Sequence, residues 1–266
     1  MATFIDVAGA RKREGLRLVL TAGVPGPWSE AAKGIFYVKR LPVTYVRQEL
    51  GGANEELREW TGQTSAPVAV WNDERPRTTS LEILFLAERL APEPPLIPRD
   101  PELRAQMFGL CHELIGEQGF GWSRRLMLLH PILAGAGDAA PEGMRRMAAK
   151  YGYSPEAAAA APARAAEVLR LLASQLARQR AAGSRFLIGD HLTALDIYWA
   201  TFAVLVAPLP EELCPMPAAI RAVYAIDDEV VRPALDPSLL EHRDFVYREY
   251  LELPVDCLDD AARERA

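Results

Sequence analysis

The chain has 266 residues, half of them hydrophobic, and carries a formal net charge of −6 at pH 7. This length is sufficient for two domains with sizeable cores. The acidic balance argues against a nucleic-acid-binding protein, because phosphate contacts need a basic surface. The longest apolar runs are much shorter than the roughly 20 residues of a membrane-spanning helix, and the charged first 15 residues do not resemble a secretory signal. We therefore expect a soluble globular protein that binds neither nucleic acid nor membrane.

The three cysteines, Cys111, Cys214 and Cys257, are odd in number and far apart. This pattern does not indicate a disulfide framework, and we predict a reducing, cytoplasmic location. The sequence also does not indicate a metal site. The segment 112–117 falls short of a zinc-protease helix, because Gly116 stands where the second histidine is required.

Strands and helices alternate in the first part of the chain. Hydrophobic periodicity predicts strands at 16–21, 43–46 and 68–71 and helices at 28–39 and 80–90. A short fourth strand should end near Thr78 and lie at an edge, because Pro76 cannot donate a ladder hydrogen bond. The order is typical of an α+β, thioredoxin-like domain.

A proline-rich linker follows, and the rest of the chain predicts only helices. We predict an N-terminal extension at 1–15, a thioredoxin-like domain at 16–90, a linker at 91–100, an all-helical domain at 101–253 and a polar tail at 254–266.

The segment 186–197 predicts the start of a helix. Thr193 is suited to be the N-cap, with Asp196 at the third helical position completing a capping box. Leu192 and Ile197 stand at the positions of a hydrophobic staple. The helix that follows is apolar on nearly all sides, so we expect it in the centre of the second domain.

Taken in order, these features resemble the glutathione transferase superfamily over about residues 16–250. The resemblance is carried by 63–68, similar to the loop and strand start with the family's cis-proline, and by 79–83, similar to a helix start. It is also carried by the interdomain segment 96–105 and by 186–197. It implies a cytosolic-type protein with an α+β thioredoxin-like N-terminal domain and an all-α helical C-terminal domain.

The resemblance also implies where glutathione, the co-substrate, would bind. The candidate residues are Trp28, Gln63, Ala66, Pro67, Thr79 and Ser80. A cis bond before Pro67 would leave the backbone of Ala66 facing the ligand, like an added strand. Ser80, at the start of a helix, suits a carboxylate. Thr79 stands where the family has an acidic residue or glutamine that helps hold the ligand's amino group. A thiol other than glutathione is therefore an alternative ligand.

The catalytic group departs from the family pattern. In serine- and cysteine-type members the residue that activates the thiol comes first in a four-residue stretch, and here Gly26 holds that position. Ser29 comes last in the same stretch, and Thr21 aligns with the hydroxyl of tyrosine-type members. The alternatives are Ser29, Thr21 or no catalytic hydroxyl, and if Ser29 is not catalytic we expect it to cap the helix.

The resemblance implies an electrophile pocket between the domains, with Phe108, Trp122 and Arg125 as candidates. Alternatively, Trp122 and its neighbouring arginines form only a helix edge. We therefore expect an enzyme that conjugates a thiolate to a small-molecule electrophile, acting as a homodimer. The other hypotheses are a non-catalytic binding or assembly module and a thiol-dependent isomerase or lyase of the same fold.

Overall fold

The computed structural model describes residues 3–225 and 227–257. The contacts of the chain divide it into two compact units. In the described part, the first unit comprises 3–96, 208–222 and 247–257, and the second comprises 97–207 and 223–246 without residue 226. The first passage from one unit to the other falls between Leu96 and Ile97.

The first unit contains a four-stranded sheet in the spatial order β1-β3-β2-β4. Its strands are β1 (Phe4–Ile5), β2 (Leu16–Thr21), β3 (Val43–Gln48) and β4 (Val68–Trp71). Strands β1 and β2 run parallel to β3, and β4 runs antiparallel to β2. Its helices before residue 96 are α1 (Val7–Arg11), α2 (Pro27–Val38), α3 (Glu55–Thr61) and α4 (Ser80–Leu90). This arrangement confirms the thioredoxin-like α+β prediction.

The N-terminal residues differ from the predicted extension at 1–15. Phe4 and Ile5 pair in parallel with Tyr45 and Val46 of β3. The side chain of Asp6 then accepts a hydrogen bond from the backbone N–H of Gly9 at 2.7 Å and caps α1. Residues 4–11 are therefore part of the first unit, through pairing with a strand about forty residues away that local sequence patterns do not reveal.

The predicted fourth strand near Thr78 is reduced to one isolated antiparallel bridge between Ala69 and Arg77. Pro76 has no backbone N–H, so it cannot extend a ladder. The bridge still determines where the chain goes next, because it turns residues 77–80 back along β4 towards its N-terminal end.

The second part of the chain is helical, as predicted. The helices are α5 (Pro101–Ile115), α6 (Phe120–Ala136), α7 (Glu142–Lys150), α8 (Pro155–Ala181), α9 (Ala194–Phe202), α10 (Ala218–Tyr224) and α11 (Pro237–Tyr250). The second unit contains α5 to α9 entirely. Among the described residues, no helix is long and apolar enough to cross a membrane.

Helix α9 lies in the core of the second unit, and all nine of its residues are buried. Its capping box is present as predicted, with the backbone N–H of Thr193 donating to Asp196 Oδ2 at 2.8 Å. The other carboxylate oxygen accepts from the backbone N–H of Leu187 at 2.8 Å and contacts His242 Nε2 at 2.9 Å. Asp196 therefore joins three segments of the second unit through one buried carboxylate.

The C-terminal residues also differ from the prediction of a helical domain to 253 and a polar tail from 254. Residues 208–222 and 247–257 belong to the first unit. Val255 and Cys257 are each only 2% exposed. The remaining part of the predicted tail, 258–266, lies outside the described residues.

Candidate functional site

The candidate thiol-site residues gather at one edge of the sheet of the first unit. Val19 of β2 pairs with Val68 of antiparallel β4, so the C-terminal end of β2 lies beside the start of β4. Helix α2 begins shortly after β2, and the bridge at Arg77 brings the start of α4 back to the same edge. The register therefore places the end of β2, which carries Thr21, beside the start of β4, which follows Pro67.

At the start of β4, the Ala66–Pro67 peptide bond is cis, as the sequence analysis predicts. Pro67 is buried, whereas Ala66 is only partly buried and packs against the valine-rich core of this unit. Gln63 is half-buried in the preceding loop, and its backbone N–H donates to Thr61 Oγ1 at 3.2 Å.

At the start of α4, Ser80 is the first helical residue and is half-buried, while Thr79 is the N-cap. Thr79 Oγ1 accepts from the backbone N–H of Glu82 at 3.2 Å, and Glu82 Oε2 accepts from the backbone N–H of Thr78 at 3.0 Å. Arg75 donates to the other oxygen of Glu82 at 2.7 Å. These interactions, with that of Arg75 the strongest, lower the pKa of Glu82 to about 2. Thr79 therefore serves the capping box.

At the start of α2, Gly26 is the N-cap and Pro27 the first helical residue. The interpretation of Ser29 as the cap is therefore wrong, because proline is suited to the first helical position and the chain before it is extended. Ser29 is 2% exposed, and its Oγ lies 3.8 Å from the place that a Cβ at Gly26 would occupy. Trp28 is half-buried beside it.

At the end of β2, the hydroxyl of Thr21 donates to Gln48 Oε1 at 2.8 Å. The amide nitrogen of Gln48 donates in turn to the carbonyls of Glu49 at 2.7 Å and Thr64 at 3.2 Å. The hydroxyl proton of Thr21 is therefore already engaged within the protein. Sequence reasoning missed Gln48, because the strand predicted at 43–46 ended before it, whereas β3 extends to Gln48.

The candidate electrophile residues lie in the second unit. A cavity of about 320 Å³ is lined there by Trp122, Leu126, Tyr151 and alanines of α8, together with the polar residues Glu117, Gln118, Ser123 and Arg164. Neither Phe108 nor Arg125 is part of its lining. The indole N–H of Trp122 donates to the carbonyl of Tyr151 at 2.9 Å, and the guanidinium of Arg125 lies 5.9 Å from the centre of the Tyr151 ring. Sequence reasoning missed Tyr151, because this residue lies in the turn after α7, where there is no hydrophobic periodicity to indicate it.

Within the described residues, no group of three or more histidine, cysteine, aspartate or glutamate side chains is arranged to hold a metal ion.

Comparison with solved structures identifies the fold. The chain is similar to a glutathione S-transferase from Methylobacterium radiotolerans in complex with glutathione sulfonate, with 19% identity, 89% and 92% of the two chains covered and a TM-score of 0.58. It is similar to a glutathione transferase family member from Pseudomonas fluorescens with two glutathione bound, with 15% identity, 93% and 98% covered and a TM-score of 0.61.

Human glutathione-S-transferase T1-1 in its apo form is similar too, with 18% identity, 94% and 96% of the two chains covered and a TM-score of 0.53. A comparison with protein-family models and one with curated proteins each gave no match. The chain therefore has the glutathione transferase fold across both units, as the sequence resemblance implies.

Proposed function

We propose that the protein binds glutathione or a similar thiol at the sheet edge of the first unit and adds its thiolate to a small-molecule electrophile. The observation that carries this proposal is the half-buried Ser80 at the first position of α4, next to the start of β4, in a chain with this fold. Two of the similar solved structures contain glutathione or its sulfonate.

In this proposal, Ser80 and the N-terminus of α4 bind the γ-glutamyl carboxylate. Helix N-termini attract anions through their free N–H groups and the helix dipole. Ala66, partly buried at the strand start, offers backbone groups to the peptide part of the ligand. Gln63 and Trp28 border the same edge. Because Thr79 is part of the capping box, it is a poor partner for the amino group of the ligand, and we expect weak affinity for glutathione.

The thiol would ionise with little help from side chains. Ser29 is buried and Thr21 donates to Gln48, so neither hydroxyl is well suited to stabilise a thiolate. The remaining source of stabilisation is the N-terminus of α2, since a helix N-terminus lowers a thiol pKa. The thiol proton would pass to water, and the thiolate sulfur would bond to the electrophilic carbon. At a saturated or aryl carbon the leaving group departs with its bonding electron pair, and at an activated alkene the displaced π electrons take up a proton from water. We expect slow turnover.

We further propose that the electrophile binds in the cavity beside Trp122. Tyr151 would form the second aromatic wall of this site, and it replaces the candidates Phe108 and Arg125. The indole ring, Leu126 and the alanines suit an apolar or aromatic group of the electrophile, and Glu117, Gln118, Ser123 and Arg164 supply polar groups beside it. The replacement Trp122→Ala should raise the KM for the electrophile and leave the Kd for glutathione unchanged.

A cytoplasmic homodimer is part of the same proposal. The three cysteines Cys111, Cys214 and Cys257 are buried free thiols, which fits a reducing compartment. For the dimer, Leu81 and Phe85 on α4 are exposed apolar residues one helical turn apart.

The second candidate function is a non-catalytic binding or assembly module. It is favoured by Gly26, which lacks a side chain at the activating position, by the engagement of the Thr21 hydroxyl with Gln48 and by the burial of Ser29. A thiol-dependent isomerase or lyase of the same fold would share the thiol site.

One experiment separates these functions. Glutathione conjugation would be followed with a panel of apolar electrophiles, for the wild type and for Gly26→Ser. The enzyme proposal expects slow, saturable conjugation in the wild type and a faster rate in the variant. Saturable glutathione binding without turnover in either protein would favour the module, and absence of glutathione binding would contradict both.

A further inference from the structure

The C-terminal segment Leu251–Cys257, which we call the strap, packs on the first unit beside the start of α2. Three of its side chains are buried, namely Leu251, Val255 and Cys257. Its backbone is joined to the segment 208–222 of the same unit, with the N–H of Val255 donating to the carbonyl of Leu213 at 2.8 Å. The strap is therefore a docked element of this unit.

The strap fixes the loop that precedes α2. The backbone N–H of Gly23 donates to the carbonyl of Cys257 at 2.8 Å. Gly23 has a φ of 83°, a conformation that glycine adopts without strain and that other residues rarely adopt. The loop leads directly into Gly26 and the proposed thiol site.

A buried lysine of α2 fixes the strap to the helix itself. Lys33 Nζ donates to the carbonyl of Asp256 at 2.9 Å and lies 3.1 Å from Glu30 and 3.8 Å from Glu252. Lys33 and Glu30 are 5% and 7% exposed. Burial alone would lower the pKa of Lys33, but the carboxylate of Glu30 raises it above its ordinary value, so the ammonium stays charged.

Glu30 connects this contact to the helix start, because its backbone N–H donates to the carbonyl of Gly26 at 2.9 Å. The strap thus holds both sides of the turn that carries Gly26: Gly23 on the loop side and Lys33, through Glu30, on the helix side. A buried charge held by a carboxylate and a carbonyl is costly to release, which makes the contact rigid.

We propose that the strap is a positioning element of the thiol site and that Lys33 is its anchoring residue. This inference rests on the proposed function for the identity of the ligand. The geometry of a binding site must be held within fractions of an ångström, and a displacement of about 1 Å can reduce a rate about a hundredfold.

Helix α2 supplies a matched control at its other end. Lys39, also buried, lies 2.5 Å from Glu88 and donates to the carbonyl of Pro94 at 2.7 Å. Like Lys33, it pairs with a glutamate and donates to a backbone carbonyl, but its glutamate lies on α4 and its carbonyl lies in the linker instead of the strap. Loss of this pair tests general destabilisation without touching the start of α2.

The experiment compares the full-length double variants Glu30→Gln/Lys33→Met and Glu88→Gln/Lys39→Met with the wild type. Each double variant removes both charges, so no buried charge is left alone. We expect hydrogen exchange at Gly23 to accelerate and the Kd for glutathione to rise, each by about tenfold or more, in the Lys33 variant only. Val255→Pro, which removes the strap's own N–H donor, should have the same two effects.

Unchanged exchange at Gly23 in the Lys33 variant or in Val255→Pro would overturn the proposal. Equal acceleration in the Lys39 variant would also overturn it, as would faster exchange without a change in the Kd. The exchange measurement is made without glutathione, so it tests the strap even if the wild type fails to bind glutathione. That failure would instead contradict the proposed function.

Discussion

The missing side chain at Gly26 decides what chemistry the thiol site can perform. Gly26 has an ordinary φ of −65°, and a Cβ there would meet only Ser29 atoms, at 3.8 and 3.9 Å. These are normal van der Waals distances, so a Cβ can be added at Gly26 without a clash. The sequence supplies no activating hydroxyl at this position.

Replacing Gly26 with serine should therefore raise the conjugation rate. A hydroxyl that donates to the thiolate is a stabilising group of the kind whose removal typically costs about 10²- to 10³-fold in rate. For Gly26→Ser we expect kcat/KM for glutathione to rise by about tenfold or more. In the profile of kcat/KM against pH, the midpoint should move to a lower pH. The controls Ser29→Ala and Thr21→Val should change kcat/KM little. A large loss in either control would assign the catalytic role to that hydroxyl.

The carboxylate of Glu82 should make stability depend on acidic pH. Its pKa in the folded protein is about 2, below the ordinary value of 4.5. Because the folded state holds this proton less tightly than the unfolded state, the ionised carboxylate stabilises the folded protein at pH values above the ordinary pKa. This contribution to stability is lost as the pH falls towards 2. The variant Glu82→Gln should be less stable than the wild type by about 1 kcal/mol at pH 7 in moderate salt and equally stable near pH 2.

Urea unfolding across this pH range measures the Glu82 effect. The control is Glu142→Gln, which removes the partner of Arg146 from an exposed pair on α7 and should change stability little. A constant difference between Glu82→Gln and the wild type at all pH values would contradict the assignment.

At the scale of elements, sequence patterns predicted the features that depend on residues close together in the chain. The capping box of Thr193 and Asp196 and the start of α4 involve residues three apart, so the sequence contains both partners within one turn. By contrast, β1 has only two residues and exists through its pairing with Tyr45 and Val46. The sequence carries no local sign of that pairing.

The same distinction applies to the candidate site. The cis bond at Pro67 and Ser80 at a helix start could be predicted from short segments. The burial of Ser29, the bond from Thr21 to Gln48 and the docking of Asp256 on Lys33 all depend on chain segments brought together by folding. These non-local contacts decide which hydroxyls are available, and sequence reasoning left that choice open.

Helix α9 should depend strongly on Asp196, whose buried carboxylate accepts from the backbone of Leu187 and Thr193 and contacts His242. Asp196→Ala leaves buried donors without an acceptor and should cost about 3–5 kcal/mol of unfolding free energy, measured with urea. The matched control is Asp190→Ala, which removes an exposed carboxylate that contacts His191 at 2.7 Å and should leave stability unchanged. Similar losses in both variants would contradict this account.

At the scale of the whole molecule, the proposed dimer requires an apolar contact surface. Phe85 and Leu81 are 53% and 39% exposed on α4. We expect twice the mass of one chain in analytical ultracentrifugation at micromolar concentration. The double variant Leu81→Glu/Phe85→Glu should have the mass of a single chain, because charges in an apolar interface are costly. The control Ile132→Glu changes a residue of similar exposure on α6 and should remain a dimer.

The central claim is that the first unit binds a thiol peptide through Ser80. The most direct test is a calorimetric titration of the full chain with glutathione, comparing the wild type with Ser80→Ala and with Ser154→Ala, which alters the N-cap of α8 in the second unit. We predict saturable binding of one glutathione per chain, weakened by about 1–3 kcal/mol in Ser80→Ala alone. Absence of binding by the wild type, or equal affinity of Ser80→Ala and the wild type, would contradict the account.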